Sequence, residues 1–368
     1  MDKGKQLVAS DHAGISGRQM QWLPGRELAI RRNGVFGSLL KAAVTVVLVM
    51  LLGCGSSSDT PSQLSAQPSD WMKPISDQTP ISLLSIPGTH DSGTYTQDQI
   101  AGGGFVKTQM WSIYDQLNIL GIRFLDIRCR IIGNGFAIHH GVVFLGLSFQ
   151  DIIDQSRAFL LTHPSETILM DVGHEYIDDQ GSTLSFHQIF LNYYNANKYL
   201  DDAHTRELWY LGTTIPALGQ VRGKIVLMRS FDLDPGTAEI GMNIRTDGGN
   251  SAYSSKQFST NPDQTVYVES LWTPDVDAWT NAFEVKWNAI RDNIWRAKSD
   301  GSPNHLYMTW TSATMSTPIV HWHTPLDFAQ QINWRLKTFP ASSGKMGIVI
   351  MDFPGDEAYF IIGTNSGG

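Results

Sequence analysis

Cysteine is nearly missing from this chain: 368 residues hold two, Cys54 and Cys129. A disulfide framework is therefore excluded, and stability has to come from a buried core. Positive charge is also scarce. With 27 Lys and Arg against 35 Asp and Glu the net charge is −8, which argues against a nucleic-acid partner and against docking on an anionic membrane by bulk charge. No internal repeat and no low-complexity tract beyond one linker is present, so solenoid and disordered classes fall away. The apolar stretch from Ala42 to Leu52 is only 11 residues, against about 20 needed to span a bilayer.

That short stretch is informative for what surrounds it. Arg31, Arg32 and Lys41 precede it and Leu51-Leu52-Gly53-Cys54 ends it, the layout of a secretory signal whose last residues resemble a bacterial lipoprotein cleavage site with Cys54 as the acylated residue. Cys129 would then have no partner for a disulfide. The competing reading is an uncleaved anchor over Val35 to Leu52, with Lys41 snorkelling to the interface. Residues 1–53 are thus expected to be a leader, with 1–30 an over-long gene start, and residues 54–70, rich in Ser, Gln and Pro, a flexible tether. Up to Gly53 the leader carries seven Lys or Arg and three Asp or Glu, a net of +4, which leaves −12 on the remainder. Residues 71–368 are expected to form one exported domain.

In that domain short apolar runs alternate with helical segments. Eight runs read as strands: Ile81 to Ile86, Arg123 to Cys129, Phe136 to His140, Thr167 to Val172, Lys224 to Ser230, Thr265 to Ser270, His305 to Thr311 and Gly347 to Phe353. Ser148 followed by Asp151 forms an N-cap signature, and Ile152, Ile153, Phe159 and Leu160 give the following helix one apolar face before His163-Pro164 stops it. Connections long enough for crossover helices make a parallel barrel the natural closure.

The polar residues recur where such strands end. Ser85 to Gly93, SIPGTHDSG, delivers His90 and Asp91; FLDIRC delivers Asp126 and Arg128; AIHHG delivers His139 and His140. Taken singly, a histidine beside a turn is more often a structural hydrogen-bonder, and Asp-x-Arg in a strand is as often a buried ion pair. Recurrence at three strand ends favours convergence on one pocket.

These segments, followed by HPSETILMDVGHEY, RGKIVLMRSF and GIVIMDF, are similar in order and spacing to the bacterial phosphatidylinositol-specific phospholipase C family, over roughly Trp71 to Asp356. The resemblance implies a single distorted (β/α)8 barrel of the TIM type with its pocket at the carboxyl ends of the strands. It implies a monomeric enzyme without a cofactor, cleaving the phosphodiester of phosphatidylinositol or a related headgroup at a membrane surface to diacylglycerol and an inositol phosphate. His90 is then the general base, His140 the general acid, Asp352 the carboxylate that orients the base, and Asp91 the partner of the acid. Arg128 supplies the positive charge that metal-dependent relatives take from a cation. Imidazole suits the proton transfers because its ordinary pKa, about 6.5, lies near working pH, and a guanidinium fork matches two phosphoryl oxygens.

Headgroup recognition departs from the family. His174 stands where members commonly carry a lysine, Glu269 near an inositol-binding aspartate and Trp272 near a stacking tyrosine, while Arg229 matches. Two other classes fit the same residues: a metal-dependent phosphodiesterase acting on another lipid headgroup, for which His321-x-His323 has a ligand-like spacing, and a catalytically silent envelope-binding lipoprotein on the same barrel. Expression of the chain with its leader in a bacterium is expected to yield protein beginning at an acylated Cys54. Mass spectrometry reads this directly, and an intact leader on membrane-bound protein would favour the anchor instead.

Overall fold

The computed structural model describes residues 67–97, 103–175, 179–274, 279–314, 323–340 and 344–367. The leader, Cys54, most of the linker and His321 lie outside the described residues. Among the described residues no helix is long and apolar enough to cross a membrane.

Among the described residues, twelve strands form one sheet. In chain order they are β1 (Ser85–Thr89), β2 (Phe124–Ile132), β3 (Gly135–His140), β4 (Val143–Ser148), β5 (Ile168–His174), β6 (Trp209–Tyr210), β7 (Ile225–Ser230), β8 (Met242–Asn243), β9 (Ser254–Phe258), β10 (Asn261–Glu269), β11 (His305–Trp310) and β12 (Gly347–Met351). The helices are α1 (Ile113–Asn118), α2 (Phe149–Thr162), α3 (Phe186–Ala196), α4 (Leu218–Val221), α5 (Trp279–Ser299), α6 (Pro325–Leu336) and α7 (Asp356–Gly363). The order β6-β7-β5-β2-β1-β12-β11-β10-β9 is parallel throughout except for the antiparallel β9.

Side chains alternate in direction along each strand, and here they sort into two cores. Ile86, Phe124, Leu169, Val226, Val266, Leu306 and Ile348 form one buried cluster drawn from staves all around the sheet, which is the filling of a barrel. Their neighbours Leu125, Met170, Leu227 and Val349 face outward and pack with helical residues such as Ile152, Phe159, Ile290 and Phe328. Helix α2 begins as its sequence predicts, with Ser148 and Asp151 forming a reciprocal capping box. Gly88 lets β1 and β2 approach: a Cβ there would lie 2.9 Å from Phe124 Cβ.

The barrel is distorted, and two of the eight expected strands need correction. The apolar run at Ile81 opens as a 3-10 turn, Ile81–Leu83, and the strand starts only at Ser85, because Ile81 N–H bonds Pro216 O at 3.1 Å rather than a sheet neighbour. Phe136 to His140 is no barrel stave: β3 pairs antiparallel with β2 and β4 as an excursion from the rim. Its alternation of apolar residues belongs to a hairpin half-covered by Phe186 and Tyr193. The missing stave is replaced by β6 and β8, two residues each, both parallel to β7. No strand pairing joins that edge to β9 among the described residues; the side-chain amide oxygen of Gln264 instead accepts from Ile215 N–H at 2.9 Å.

The amino-terminal end of the barrel is closed by Arg123, fully buried beside a fully buried Glu166. Its guanidinium donates to Glu166 Oε2 at 3.0 and 2.7 Å and to the carbonyls of Leu117, Ile122 and Ser69, and lies 4.6 Å over the Phe159 ring. Glu166 also accepts from Met72 N–H at 3.2 Å. This pair fastens the entering segment to the barrel. Glu166→Leu, which leaves the guanidinium buried without its counter-charge, is expected to cost about 3–5 kcal/mol, read as a lower denaturation midpoint in urea.

Candidate active site

At the opposite end, β1 runs into His90 and Asp91. His90 N–H continues the ladder to Met351 O at 3.0 Å, and Asp91 then adopts a left-handed backbone, φ 43° and ψ 57°, which aspartate tolerates better than most residues. The turn is held from outside: Gln109 donates to His90 O at 2.7 Å and Met351 O at 3.0 Å, and Thr108 Oγ1 donates to His90 O at 2.9 Å. Strand β12 leads into Asp352 and then Phe353, also left-handed at φ 45°, whose N–H bonds Thr108 O at 2.7 Å. Thr108 and Gln109 thus brace two loops at once. They lie in no motif, and the sequence carries no mark of this role.

Asp91 is buried at the centre of the cluster. Its Oδ2 is 3.3 Å from His90 Nε2 and 3.5 Å from His140 Nε2, and its Oδ1 is 3.1 Å from Arg128 Nε. These are ionic contacts without aligned hydrogen bonds. Burial pushes the Asp91 carboxyl above its ordinary value against the pull of Arg128, His140 and His90. On the other side of His90, Nδ1 lies 2.7 Å from Asp352 Oδ1. Burial opposes charging of His90, but Asp352 and Asp91 outweigh it and raise its pKa. His140 Nδ1 lies 3.0 Å from Val106 O, and a carbonyl only accepts, so this nitrogen carries a proton.

Arg128 is held by three carboxylates: Asp91, Asp126 at 3.1 Å and Glu175 at 3.5 Å. Burial works against its charge, yet those neighbours raise its pKa well above the ordinary value. The Asp126 carboxyl is in turn held low, despite burial, by the charge of Arg128. Asp126, which would otherwise suit a cation, is therefore already paired with a guanidinium.

The cluster opens into a cavity of about 710 Å³. The structure brings His90, Asp91, Arg128, His140 and Asp352 together, the first, third, fourth and fifth in the cavity wall and Asp91 behind it. His174 and Trp272 also line the cavity. His174 bonds Asp179 at 3.0 Å and packs on Phe186, away from the cluster. Arg229 and Glu269 do not line it. Arg229 points outward to the carbonyls of Ile240 and Phe231 and to Glu239, and Glu269 forms a fully buried pair with Lys286 at 2.8 Å. The reason is the two-residue period of a strand: the cavity sees their neighbours Ser230 and Ser270. His323 sits 4.0 Å from Asp327 at the start of α6, where Asp327 closes the capping box of Thr324.

Comparison with known proteins agrees with this architecture. The model of the phosphatidylinositol-specific phospholipase C X domain matches residues 80–230. A 1-phosphatidylinositol phosphodiesterase of Staphylococcus aureus (strain NCTC 8325 / PS 47) is 27% identical over 318 residues, 85% of this chain and 92% of that protein. One from Listeria monocytogenes serovar 1/2a is 31% identical over 291 residues, 77% of this chain and 80% of that protein. A solved structure of the Staphylococcus aureus phosphatidylinositol-specific phospholipase C superposes with a TM-score of 0.69 at 25% identity, covering 81% of this chain and 98% of that one. The Listeria monocytogenes enzyme superposes at 0.61 with 28% identity, over 81% and 99%. At 31% identity over 80% of the Listeria monocytogenes relative, the likeness goes beyond a shared fold, and the chain belongs to the phosphatidylinositol-specific phospholipase C family.

Proposed function

We propose that this protein cleaves phosphatidylinositol by general acid and base catalysis at His90 and His140, with Arg128 as the fixed positive charge. The observation that carries this reading is the placement of two imidazoles on one oxygen of Asp91 with the guanidinium on the other.

With Nδ1–H directed to Asp352, His90 presents the lone pair of Nε2 to the cavity, where it can take the proton of the inositol hydroxyl next to the phosphate. That oxygen bonds to phosphorus and the bond from phosphorus to the glycerol oxygen breaks. The leaving alkoxide takes the proton of the His140 Nε2–H, whose imidazolium the nearby Asp91 carboxylate stabilises. Arg128 at the cluster stabilises the charge that develops on the phosphoryl oxygens. The products are diacylglycerol and a cyclic inositol phosphate, with His90 protonated and the acid deprotonated until a water reverses the exchange. Acylation at Cys54 would keep such an enzyme beside its lipid substrate.

His90→Ala and His140→Ala should each lower turnover on phosphatidylinositol vesicles by roughly 10²- to 10⁴-fold, and Arg128→Lys should be severely impaired because an ammonium does not reproduce the fork. Near wild-type cleavage by either alanine variant would sink the assignment. Chelator is expected to leave the rate unchanged, since Arg128 already occupies the carboxylates of Asp91 and Asp126; loss of activity on chelation that added metal restores would overturn the metal-independent reading.

A further inference from the structure

Two inward-facing carboxylates stand side by side on neighbouring staves: Asp126 of β2 and Asp171 of β5 are register partners. Both line the cavity. Only one is neutralised. Arg128 spends its donors on Asp126, Asp91 and Glu175, whereas Asp171 has a hydrogen bond from Ser230 and leaves a buried Oδ1 with no partner. A buried polar oxygen without a partner is costly, and in a native cavity wall such an atom calls for an explanation.

The rest of that wall says what could meet it. The residues around Asp171 toward β7 and β10 are the small, uncharged Gly173, Ser230 and Ser270, with Trp272 beyond; the charged residue on that side, Arg245, is paired with Asp232. This half of the cavity offers room, hydroxyls and an aromatic face, but no fixed cation in contact with Asp171. It suits a ring bearing hydroxyl groups.

We propose that Asp171 positions the substrate, hydrogen-bonding through its carboxyl to a hydroxyl of the headgroup ring on the floor of the cavity. The inference rests on the reading that the protein cleaves phosphatidylinositol. The groups that face Asp171 are Asp126 and Arg128 from β2 and Ser230 from β7; Cys129, on the outer side of β2, is the remaining titratable neighbour, its thiol pushed well up by burial and by Asp171. Burial, then the charge of Asp126, pushes the Asp171 carboxyl up to about 8. Below that pH it keeps a proton to donate, and above it an anion replaces the donor next to Asp126.

The test is the KM for phosphatidylinositol in vesicles, followed between about pH 6 and 10, for wild type, Asp171→Asn and Asp171→Ala. Wild-type KM should rise as the pH passes about 8. Asp171→Asn keeps a neutral donor and acceptor, so its KM should stay within roughly threefold of the low-pH value and lose the alkaline rise. Asp171→Ala should raise KM by roughly 10- to 100-fold at pH 7 with a smaller change in kcat. Unchanged KM in Asp171→Ala, or the same alkaline rise in Asp171→Asn, would overturn the placement of Asp171 while leaving the functional reading intact. If the alanine variant does not fold, the asparagine pH profile decides alone. A wild-type protein with no turnover of phosphatidylinositol overturns the functional reading and this inference together.

Discussion

The catalytic end of the barrel depends on one buried carboxylate with three cationic or protonatable neighbours. Taking a carboxylate out of water costs several kcal/mol even after relaxation. An opposite charge at about 4 Å recovers roughly 4 kcal/mol at an effective dielectric of 20, so Asp91 is tolerable there because Arg128, His90 and His140 surround it. Burial still outweighs them and raises its pKa above the ordinary carboxylate value. A carboxylate held between two imidazoles favours the protonated form of either ring, which acid and base catalysis requires. Everything nearby serves to keep that geometry: the left-handed turn at Asp91, the bonds from Thr108 and Gln109 to the His90 carbonyl, and Asp352 on the far side of the ring.

The two ends of the barrel use buried charge differently. At Arg123 every donor meets an acceptor and both members of the ion pair are sealed from solvent, so the arrangement can only hold structure together. At the catalytic end Asp352 Oδ2, Asp171 Oδ1 and both oxygens of Asp91 lack aligned partners. Unsatisfied polar atoms gathered in a cavity wall are the mark of a place prepared for a ligand rather than for stability. The imbalance is also spatial. The paired charges of His90, Asp91, Arg128, His140 and Asp352 lie together on one side, while Gly173, Ser230, Ser270 and Trp272 line the side next to Asp171, which separates the region that handles phosphate from the region that accommodates the ring.

Much of this was legible in the chain. Local patterning located most of the parallel staves and the capped start of α2, because strand alternation and capping depend on near neighbours. The motifs around His90, Arg128, His140 and Asp352 pointed to one pocket, since turns at strand ends carry their own residue preferences. Two kinds of reading did not survive. Phe136 to His140 alternates like a stave yet is a hairpin off the rim, for pairing partner and direction are properties of the sheet and not of the strand. Arg229 and Glu269 were placed at the site by resemblance to the family, and the strand period turns both away from the cavity.

By itself the sequence determined the chemistry available: two histidines, an arginine and several aspartates at turn-bearing strand ends, few cysteines, and an acidic body. Those follow from residue identity and local spacing. Only the tertiary structure decided that Asp91 sits between both imidazoles and Arg128, that Thr108 and Gln109 brace the site, and that Asp171 keeps an unpartnered oxygen in the cavity while Asp126 is neutralised. The reason is that these facts depend on which strands lie side by side and on a half-period of side-chain direction, and a shift of one residue along a strand exchanges cavity for core.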